Sequence, residues 1–198
     1  EDEVSHAAII GASIIIEGTN KGSSTDIDGN FKITDVPIGR HNIKISSVGY
    51  QPKQLNQLIV TAGKEVLLNI SLVEHIKELN EINFKRIKAT PLNGGLRSAW
   101  SEDLRLPCHK IKEAFHDNYG RLAWDKLSST ITTKFNQYYS GRFGHPEQDR
   151  ALSLREGALI QTFPKDYQFF GTDYQIARQI GNAVPVNLSK AVGETFIS

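Results

Sequence analysis

The hydrophobic pattern of this chain changes at Leu72, and that change limits the folds it can adopt. Before Leu72, apolar and polar residues alternate, for example over residues 31–34, 42–45 and 66–72. A period of two places one side of a strand on a core and the other side in water. Beyond Leu72 the alternation stops, so we predict two units, of which the first is built from strands of period two.

Turn sequences separate the alternating segments of the first unit. They include Asn20-Lys21-Gly22, Asp28-Gly29, Pro37-Ile38-Gly39 and Ala62-Gly63. Short strands at this spacing predict a small antiparallel β-sandwich. The stretch TDIDGNF also invites interpretation as a calcium loop. Such a loop needs glycine at its sixth position, where Phe31 stands if Asp26 is the first, so a hairpin turn is favoured.

Composition and charge set weaker limits. The 198 residues carry a net charge of +1, which divides into −2 for residues 1–73 and +3 for the remainder. This asymmetry permits nucleic-acid binding by the second half without requiring it. A single cysteine excludes an internal disulfide, and no apolar run has the roughly 20 residues of a membrane span. The opening residues EDEV lack an initiator Met and a basic region, so we expect a processed start.

Helix signals are concentrated near the C-terminus. The run from Ser153 to Glu156 fits a capping box and predicts a helix that ends at Phe163-Pro164. A last helix is predicted from Pro185, with one apolar face formed by Leu188, Ala191, Val192, Thr195 and Phe196. RQIGNAVP is interpreted as a loop that leads into this helix, with Gly181 allowing a tight or left-handed bend. A plain helix-capping turn is the alternative.

Residues 7–73, which include GASIIIEGTNKGSSTDIDGNFKITDVPIGRHNIKISSVGY, resemble the carboxypeptidase-regulatory-like, transthyretin-type domain. That module often precedes the plug of TonB-dependent outer-membrane receptors. The resemblance implies a non-catalytic periplasmic module. Family members begin with a strand ahead of GAS, and EDEVSHAAII offers little of one, so we expect an unpaired sheet edge.

Residues 75–198 resemble the C-terminal portion of DNA (cytosine-5) methyltransferases. RALSLREGALIQTFP is similar to the ninth conserved motif of that family, RQIGNAVP to the tenth, and HIKELNEINFKRIK, LPCHK and GRLAWDKLSSTITTKF to its target-recognition region. The resemblance implies double-stranded DNA as partner, with the target base turned out of the duplex. It also implies a partial site for S-adenosylmethionine, contacted by Asn182 and Ala183.

The same resemblance suggests the DNA contacts. Thr130-Ile131 is similar to a short Thr-aliphatic element near the flipped base, and a β-strand is the alternative interpretation. The predicted DNA-binding residues are Thr130, Thr132, Thr133, Arg121, Lys134 and Arg142. For each basic residue, a solvated surface charge is the alternative to a phosphate contact. Arg150, Arg155 and Glu156 match the ninth motif and are predicted to brace the recognition region.

The catalytic parts of the family are missing from the sequence. The nucleophile should lie in a Pro-Cys-Gln context, but His109 follows Pro107-Cys108, and no glycine-rich cofactor loop is present. We therefore predict no catalytic residue, a structural Cys108 and no activity by this chain alone. A metal site from Cys108, His109 and His116 is conceivable but weakly supported, and none is predicted.

These patterns give one combined prediction. The fold class is a β-rich two-unit chain, with an antiparallel β-sandwich over residues 1–73 and a small mixed α+β domain over 74–198 that ends in a helix. The function is the DNA-recognition and cofactor-pocket part of a cytosine-5 methyltransferase, active only if a partner chain supplies the catalytic domain. The alternative is a periplasmic receptor module. The first half implies a periplasmic location and the second half a cytoplasmic one, and no linker separates them, so we interpret the chain as composite.

Overall fold

The computed structural model describes residues 1–110 and 116–196, and the chain divides into two compact units. The first comprises Glu1–His75 with Pro164–Gln168, and the second Ile76–Phe163 with the chain from Phe169 onward. Among the described residues, all four strands lie in the first unit and all four α-helices in the second. The β-rich, two-unit fold class ending in a helix is confirmed. The predicted domain boundary after Val73 stays a prediction.

One antiparallel sheet organises the first unit. Its strands are β1 (Ser13–Ile16), β2 (Gly22–Ser24), β3 (Gly39–Ser46) and β4 (Lys53–Val60), in the order β2-β1-β3-β4. Ile14 of β1 lies opposite Ile45 of β3, which places β-branched side chains on the same face. The register between β3 and β4 shifts after His41, where the Gln57 amide donates to Asn42 Oδ1 at 3.0 Å and Gln57 has a φ of 56°.

The core of the first unit is aliphatic. Its buried members are Ile9, Ala12, Ile14, Ile16, Ile43, Ile45 and Leu72. Residues 31–34 and 66–71, predicted as strands, form no ladder, although Phe31, Ile33, Leu68 and Ile70 pack against this core. Alternation reports which side chains face a core, and the backbone need not pair to achieve that. A cavity of about 1090 Å³ lies between the sheet and this second layer.

The stretch TDIDGNF forms a turn. Asp26 Oδ1 accepts the backbone amides of Asp28 at 3.0 Å and Asn30 at 2.8 Å. Gly29 has a φ of 78°, and its amide donates to the Asp26 carbonyl at 3.1 Å. This geometry fits the predicted hairpin turn.

The second unit contains four helices joined by long irregular segments. They are α1 (Glu81–Ala89), α2 (Leu154–Ile160), α3 (Asp173–Asn182) and α4 (Val186–Glu194). HIKELNEINFKRIK thus ends in a helix, whose N-cap is Asn80. The predicted capping box is present, with Ser153 as N-cap of α2 and Glu156 as its partner. The β contribution among the described residues is limited to isolated bridges, such as Arg121 with Gly144.

Two helix boundaries differ from the sequence prediction. RQIGNAVP is not a loop, because α3 runs through Asn182 and only residues 183–185 form the turn. A second capping box, Thr172 with Gln175, starts this helix, and Ile176, Ala177 and Ile180 bury one face. Gly181 therefore has a helical backbone and is absent from the residues with positive φ. The first predicted helix ends earlier than expected, at Ile160.

The last helix has an exposed apolar face. Within the described part of the chain, α4 buries none of its residues, and Leu188 and Val192 are 54% and 50% exposed. Pro185 is its N-cap, one position earlier in the helix than predicted. The predicted apolar face of α4 is present, and it lies uncovered among the described residues. No helix among the described residues is long and apolar enough to cross a membrane.

Candidate nucleic-acid interface

The predicted DNA-contacting threonines lie on an extended segment that is not a strand. We call residues 130–133 the threonine segment. Thr130 and Thr132 are exposed, Thr133 is half-buried, and Ile131 between them is only 5% exposed. The buried Ile131 anchors the backbone, so the neighbouring hydroxyls are presented to solvent. Threonine hydroxyls can donate to phosphate oxygens or to base edges, and this presentation suits either.

Two glycines pack against residues 132–135, at the end of the threonine segment and just after it, and we call Gly157 and Gly181 the glycine seat. A Cβ at Gly181 in α3 would overlap the peptide between Thr132 and Thr133. A Cβ at Gly157 in α2 would overlap the ring of Phe135, which is fully buried. The segment that resembles the tenth motif therefore contacts the threonine segment through glycine, and the segment that resembles the ninth motif contacts Phe135 in the same way.

Buried polar atoms without partners cluster along the sequence on both sides of the threonine segment. In the described parts of the chain, the buried side-chain atoms that lack a hydrogen-bond partner are Ser129 Oγ, Gln137 Oε1 and Arg142 Nε. Such atoms are rare in folded proteins, because each one loses its hydrogen bond to water on burial. Their position near Thr130 marks this region as one with unused hydrogen-bonding capacity.

The predicted basic contacts have different environments. Lys134 is exposed directly after the threonine segment. Arg142 is 29% exposed and donates from Nη2 to Asp117 Oδ1 at 2.8 Å. Arg121 is fully buried and donates to the carbonyls of Thr90, His145, Gln148 and Ile87 and to Asp149. A phosphate could not contact Arg121 without breaking those bonds, so its prediction as a DNA contact is wrong.

Arg150 and Glu156 form a buried bidentate ion pair. Both Arg150 nitrogens Nη1 and Nη2 lie 2.7 Å from Glu156 oxygens, and Glu156 also accepts the Ser153 amide at 2.8 Å. One carboxylate thus joins the cap of α2 to the preceding loop. This geometry fits the predicted bracing by these two residues, while Arg155 beside them is half-buried.

His145 extends this ion pair. Its Nδ1 accepts the backbone amides of Glu147 and Gln148 at 3.1 and 3.0 Å, so the ring proton is on Nε2, 3.5 Å from Glu156 Oε1. Burial and the charge of Arg150 lower the pKa of His145 below its ordinary value of 6.5. Burial raises the pKa of Glu156, but its bonds to Arg150 outweigh burial and hold that pKa below 4.5.

The turn predicted to contact the cofactor is held by Gln161, a residue that sequence reasoning missed. Gln161 is 5% exposed, and its Nε2 donates to the carbonyls of Ile180 at 2.9 Å and Ala183 at 3.0 Å. Its own carbonyl accepts the Val186 amide at 3.1 Å. Asn182 is exposed and Ala183 half-buried at this turn. The only sequence signal for Gln161 is a polar residue in the otherwise apolar run GALIQTF.

A buried hydrogen-bond network centred on Thr90 also stabilises the second unit. Thr90 Oγ1 lies 2.8 Å from the Arg86 carbonyl, 2.8 Å from Trp100 Nε1 and 2.7 Å from the Tyr138 hydroxyl. Burial raises the pKa of Tyr138 to about 12. Cys108 is exposed and free, and its neighbour His109 contacts the rings of Trp100 and Tyr119. Among the described residues, no group of three metal-binding side chains converges.

Comparison with known proteins finds two kinds of similarity in this chain. Residues 1–84 match the family described as the CarboxypepD_reg-like domain. The type II methylase M.HgiDII of Herpetosiphon aurantiacus is 49% identical over 127 residues, which cover 60% of this chain and 35% of that protein. The DNA (cytosine-5)-methyltransferase 1 of Mus musculus is 50% identical over 76 residues, 38% of this chain and 5% of that protein.

The chain spans about a third, or less, of the length of these relatives. Among solved structures, a cohesin–X-dockerin complex from Acetivibrio cellulolyticus is similar at a TM-score of 0.29 and 34% identity, covering 33% of this chain and 44% of that chain. The N-terminal part is thus a CarboxypepD_reg-like domain, and the C-terminal part is homologous to cytosine-5 DNA methyltransferases over part of their length.

Proposed function

From a C-terminal part homologous to cytosine-5 DNA methyltransferases, we propose that the second unit is the DNA-recognition and cofactor-pocket part of such an enzyme. The observation that carries the proposal is the packing of the two motif-like helices against residues 132–135. Gly181 of α3 contacts the threonine segment at Thr132–Thr133, and Gly157 of α2 contacts Phe135 just after it. On this proposal, the same two helices support the DNA-recognition residues and the cofactor turn.

On the DNA side, the residues that support the proposal are Thr130, Thr132, Thr133 and Lys134. Their side chains are exposed or half-buried, and Lys134 supplies a positive charge for a phosphate. Arg142 is a weaker candidate, because a phosphate would have to compete with Asp117 for its guanidinium.

On the cofactor side, the residues fit one edge of a binding site. Asn182 offers an exposed amide with both donor and acceptor groups, and Ala183 leaves room for close approach. Gln161 fixes the carbonyls on both sides of Asn182, so the turn needs little ordering on binding. S-adenosylmethionine, when bound in the complete enzyme, supplies the methyl group.

The catalytic step requires a second chain in this proposal. Cys108 is exposed and lies in a short helix, where it is preceded by proline and followed by histidine. The type II methylase M.HgiDII is about three times as long as the segment that it shares with this chain. The partner would supply the nucleophile and the glycine-rich loop, and α4 would dock on it through Leu188 and Val192, whose side chains are half exposed.

Fluorescence anisotropy with duplex DNA across a salt series tests the proposal. We expect log affinity to fall linearly with log salt concentration, by about 0.9 per phosphate contact. Lys134→Gln should lower that slope by about one contact, whereas Lys190→Gln on α4, outside the segment, should leave it unchanged. Absence of binding at low salt would overturn the DNA-recognition role.

Complementation tests the partner. A cytosine-5 methyltransferase catalytic domain that lacks its own C-terminal region is mixed with this chain, and methyl transfer to duplex DNA is followed. Leu188→Asp should abolish activity, because it places a charge on the docking face. Ser189→Asp introduces the same charge next to it and should retain activity. Equal loss in both variants, or no activity with wild type, would contradict docking through α4.

A second function has one observation in its favour, the match of residues 1–84 to the CarboxypepD_reg-like domain. On this proposal the first unit is a non-catalytic periplasmic module of a TonB-dependent outer-membrane receptor. It predicts that the chain fractionates with the cell envelope and binds no duplex at low salt. Cell fractionation followed by the same anisotropy measurement distinguishes the two functions.

A further inference from the structure

We infer that Gly181 is a positioning residue for DNA recognition, in addition to its place beside the cofactor turn. This inference rests on the proposed function of the second unit. Gly181 lies inside α3, directly before Asn182 and Ala183. Its packing contact, however, is with the backbone between Thr132 and Thr133, in the segment predicted to contact DNA. Turns usually require glycine for its backbone freedom, whereas at position 181 glycine is required by close packing.

A helix interior is an unfavourable place for glycine, because glycine there is less stabilising than alanine. Gly181 does not use a positive φ, so a special backbone angle does not explain it. The overlap that a Cβ would have with the Thr132 carbonyl does explain it. That carbonyl also accepts the Phe135 amide at 3.1 Å, so the peptide cannot move freely away.

The second contact of the glycine seat limits the ways in which the segment could adjust. Phe135 follows the threonine segment, is fully buried, and its ring lies against Gly157. Ile131 is buried as well. A substitution at Gly181 would therefore displace Thr132–Thr133 between two fixed points, and the exposed threonine hydroxyls would change direction.

Gly181→Ala tests the inference, with Gly193→Ala as the matched control. Gly193 lies in α4, and a Cβ there would meet no atom within 4 Å. We expect Gly181→Ala to weaken duplex binding about 10-fold, the effect of losing one hydrogen bond to a charged phosphate. Gly193→Ala should bind like wild type. Equal affinity for Gly181→Ala and wild type would overturn the inference while leaving the proposed function intact.

A double-mutant cycle separates positioning from general destabilisation. If Gly181 acts through the threonine segment, Gly181→Ala should have little further effect on affinity in a Thr132→Ala background. Fully additive losses would indicate an independent structural effect and overturn the inference. If wild type does not bind duplex at any salt concentration, the proposed function fails first, and the two failures are thereby distinguished.

A measurement on the wild-type chain covers the case in which Gly181→Ala does not fold. Backbone amide resonances are followed by NMR as duplex is added. The amides of Gly181, Thr132 and Thr133 should shift together at the same DNA concentration, while Gly193 stays in place. Shifts in the threonine segment with an unmoved Gly181 would overturn the inference.

Discussion

The two units of this chain are stabilised in different ways. The first has a ladder of four strands around an aliphatic core. Among the described residues, the buried polar and charged side chains all lie in the second unit, and they include Arg86, Arg97, Arg121 and Arg150. A unit with few ladders leaves many carbonyls unpaired, and an arginine with five donors can satisfy several of them. Hydrogen bonds from side chains thus stabilise the second unit, whereas backbone hydrogen bonds between strands stabilise the first.

The largest expected effect is at the most buried of these arginines. Arg121→Met should lower the free energy of unfolding of the second unit by about 3–5 kcal/mol, because carbonyls and Asp149 lose their partner inside the protein. Hydrogen exchange in urea measures each unit separately, and exchange in β1 and β3 should not change. Equal destabilisation of both units would contradict the separation of their stabilising interactions.

A smaller effect is expected in the aliphatic core. Ile14 is 1% exposed, and Ile14→Val should destabilise the first unit by about 0.5–1.5 kcal/mol through the lost methylene. Ile15 is the next residue in the same strand and is 48% exposed, so Ile15→Val serves as control. Denaturant midpoints that fall equally for both variants would show that the two faces of β1 are not distinguished by burial.

Acid should loosen the second unit before the first. The folded pKa of His145 lies below 6.5, so the unfolded chain takes up that proton first and stability falls as pH drops below 6.5. The folded pKa of Glu156 lies below 4.5, so its contribution is present above 4.5 and is lost as pH falls through the folded value. Thermal unfolding between pH 7 and 3 measures both stages, and His145→Gln should remove the earlier one.

The smallest effect is expected at the surface of α1. Lys85 pairs with Glu81 at 2.6 Å, and both side chains are exposed, so Lys85→Met should leave the unfolding midpoint unchanged within error. The next residue gives the contrast, because Arg86 is 6% exposed and donates to the Leu104 carbonyl at 2.9 Å. Arg86→Met should lower the midpoint clearly. Similar midpoints for both variants would contradict the distinction between buried and exposed basic side chains.

Sequence patterns predicted the first unit better than the second for a physical reason. Alternation identifies which side chains of residues 31–34 and 66–72 face the core, but it does not report whether their backbone pairs. Local capping chemistry placed Ser153 and Glu156 correctly, because a capping box involves residues three apart. Gly181 was misinterpreted as a bend, because its reason, the peptide at Thr132, lies about 50 residues away.

The candidate site shows the same limit. Thr130 and Thr132 are exposed at the surface as a recognition role requires, and that role stays a prediction. Arg121 was grouped with phosphate-binding residues, because charge alone does not reveal burial. Gln161 was not singled out, because its partners Ile180 and Ala183 belong to another helix. Contacts between segments that are distant in the sequence are the part of a site that single residues do not predict.

Because α4 buries none of its residues, it is also the expected site of proteolytic cleavage. Lys190 stands in the middle of α4 with 74% of its side chain exposed, and its pairing with Glu194 at 3.9 Å is weak. Trypsin should therefore cleave after Lys190 early in a limited digestion. The bond between Val186 and Gln161 lies before that point, so the shortened product keeps the turn and its support. A stable fragment ending at residue 190 is the form in which the recognition unit would survive in a protease-rich extract.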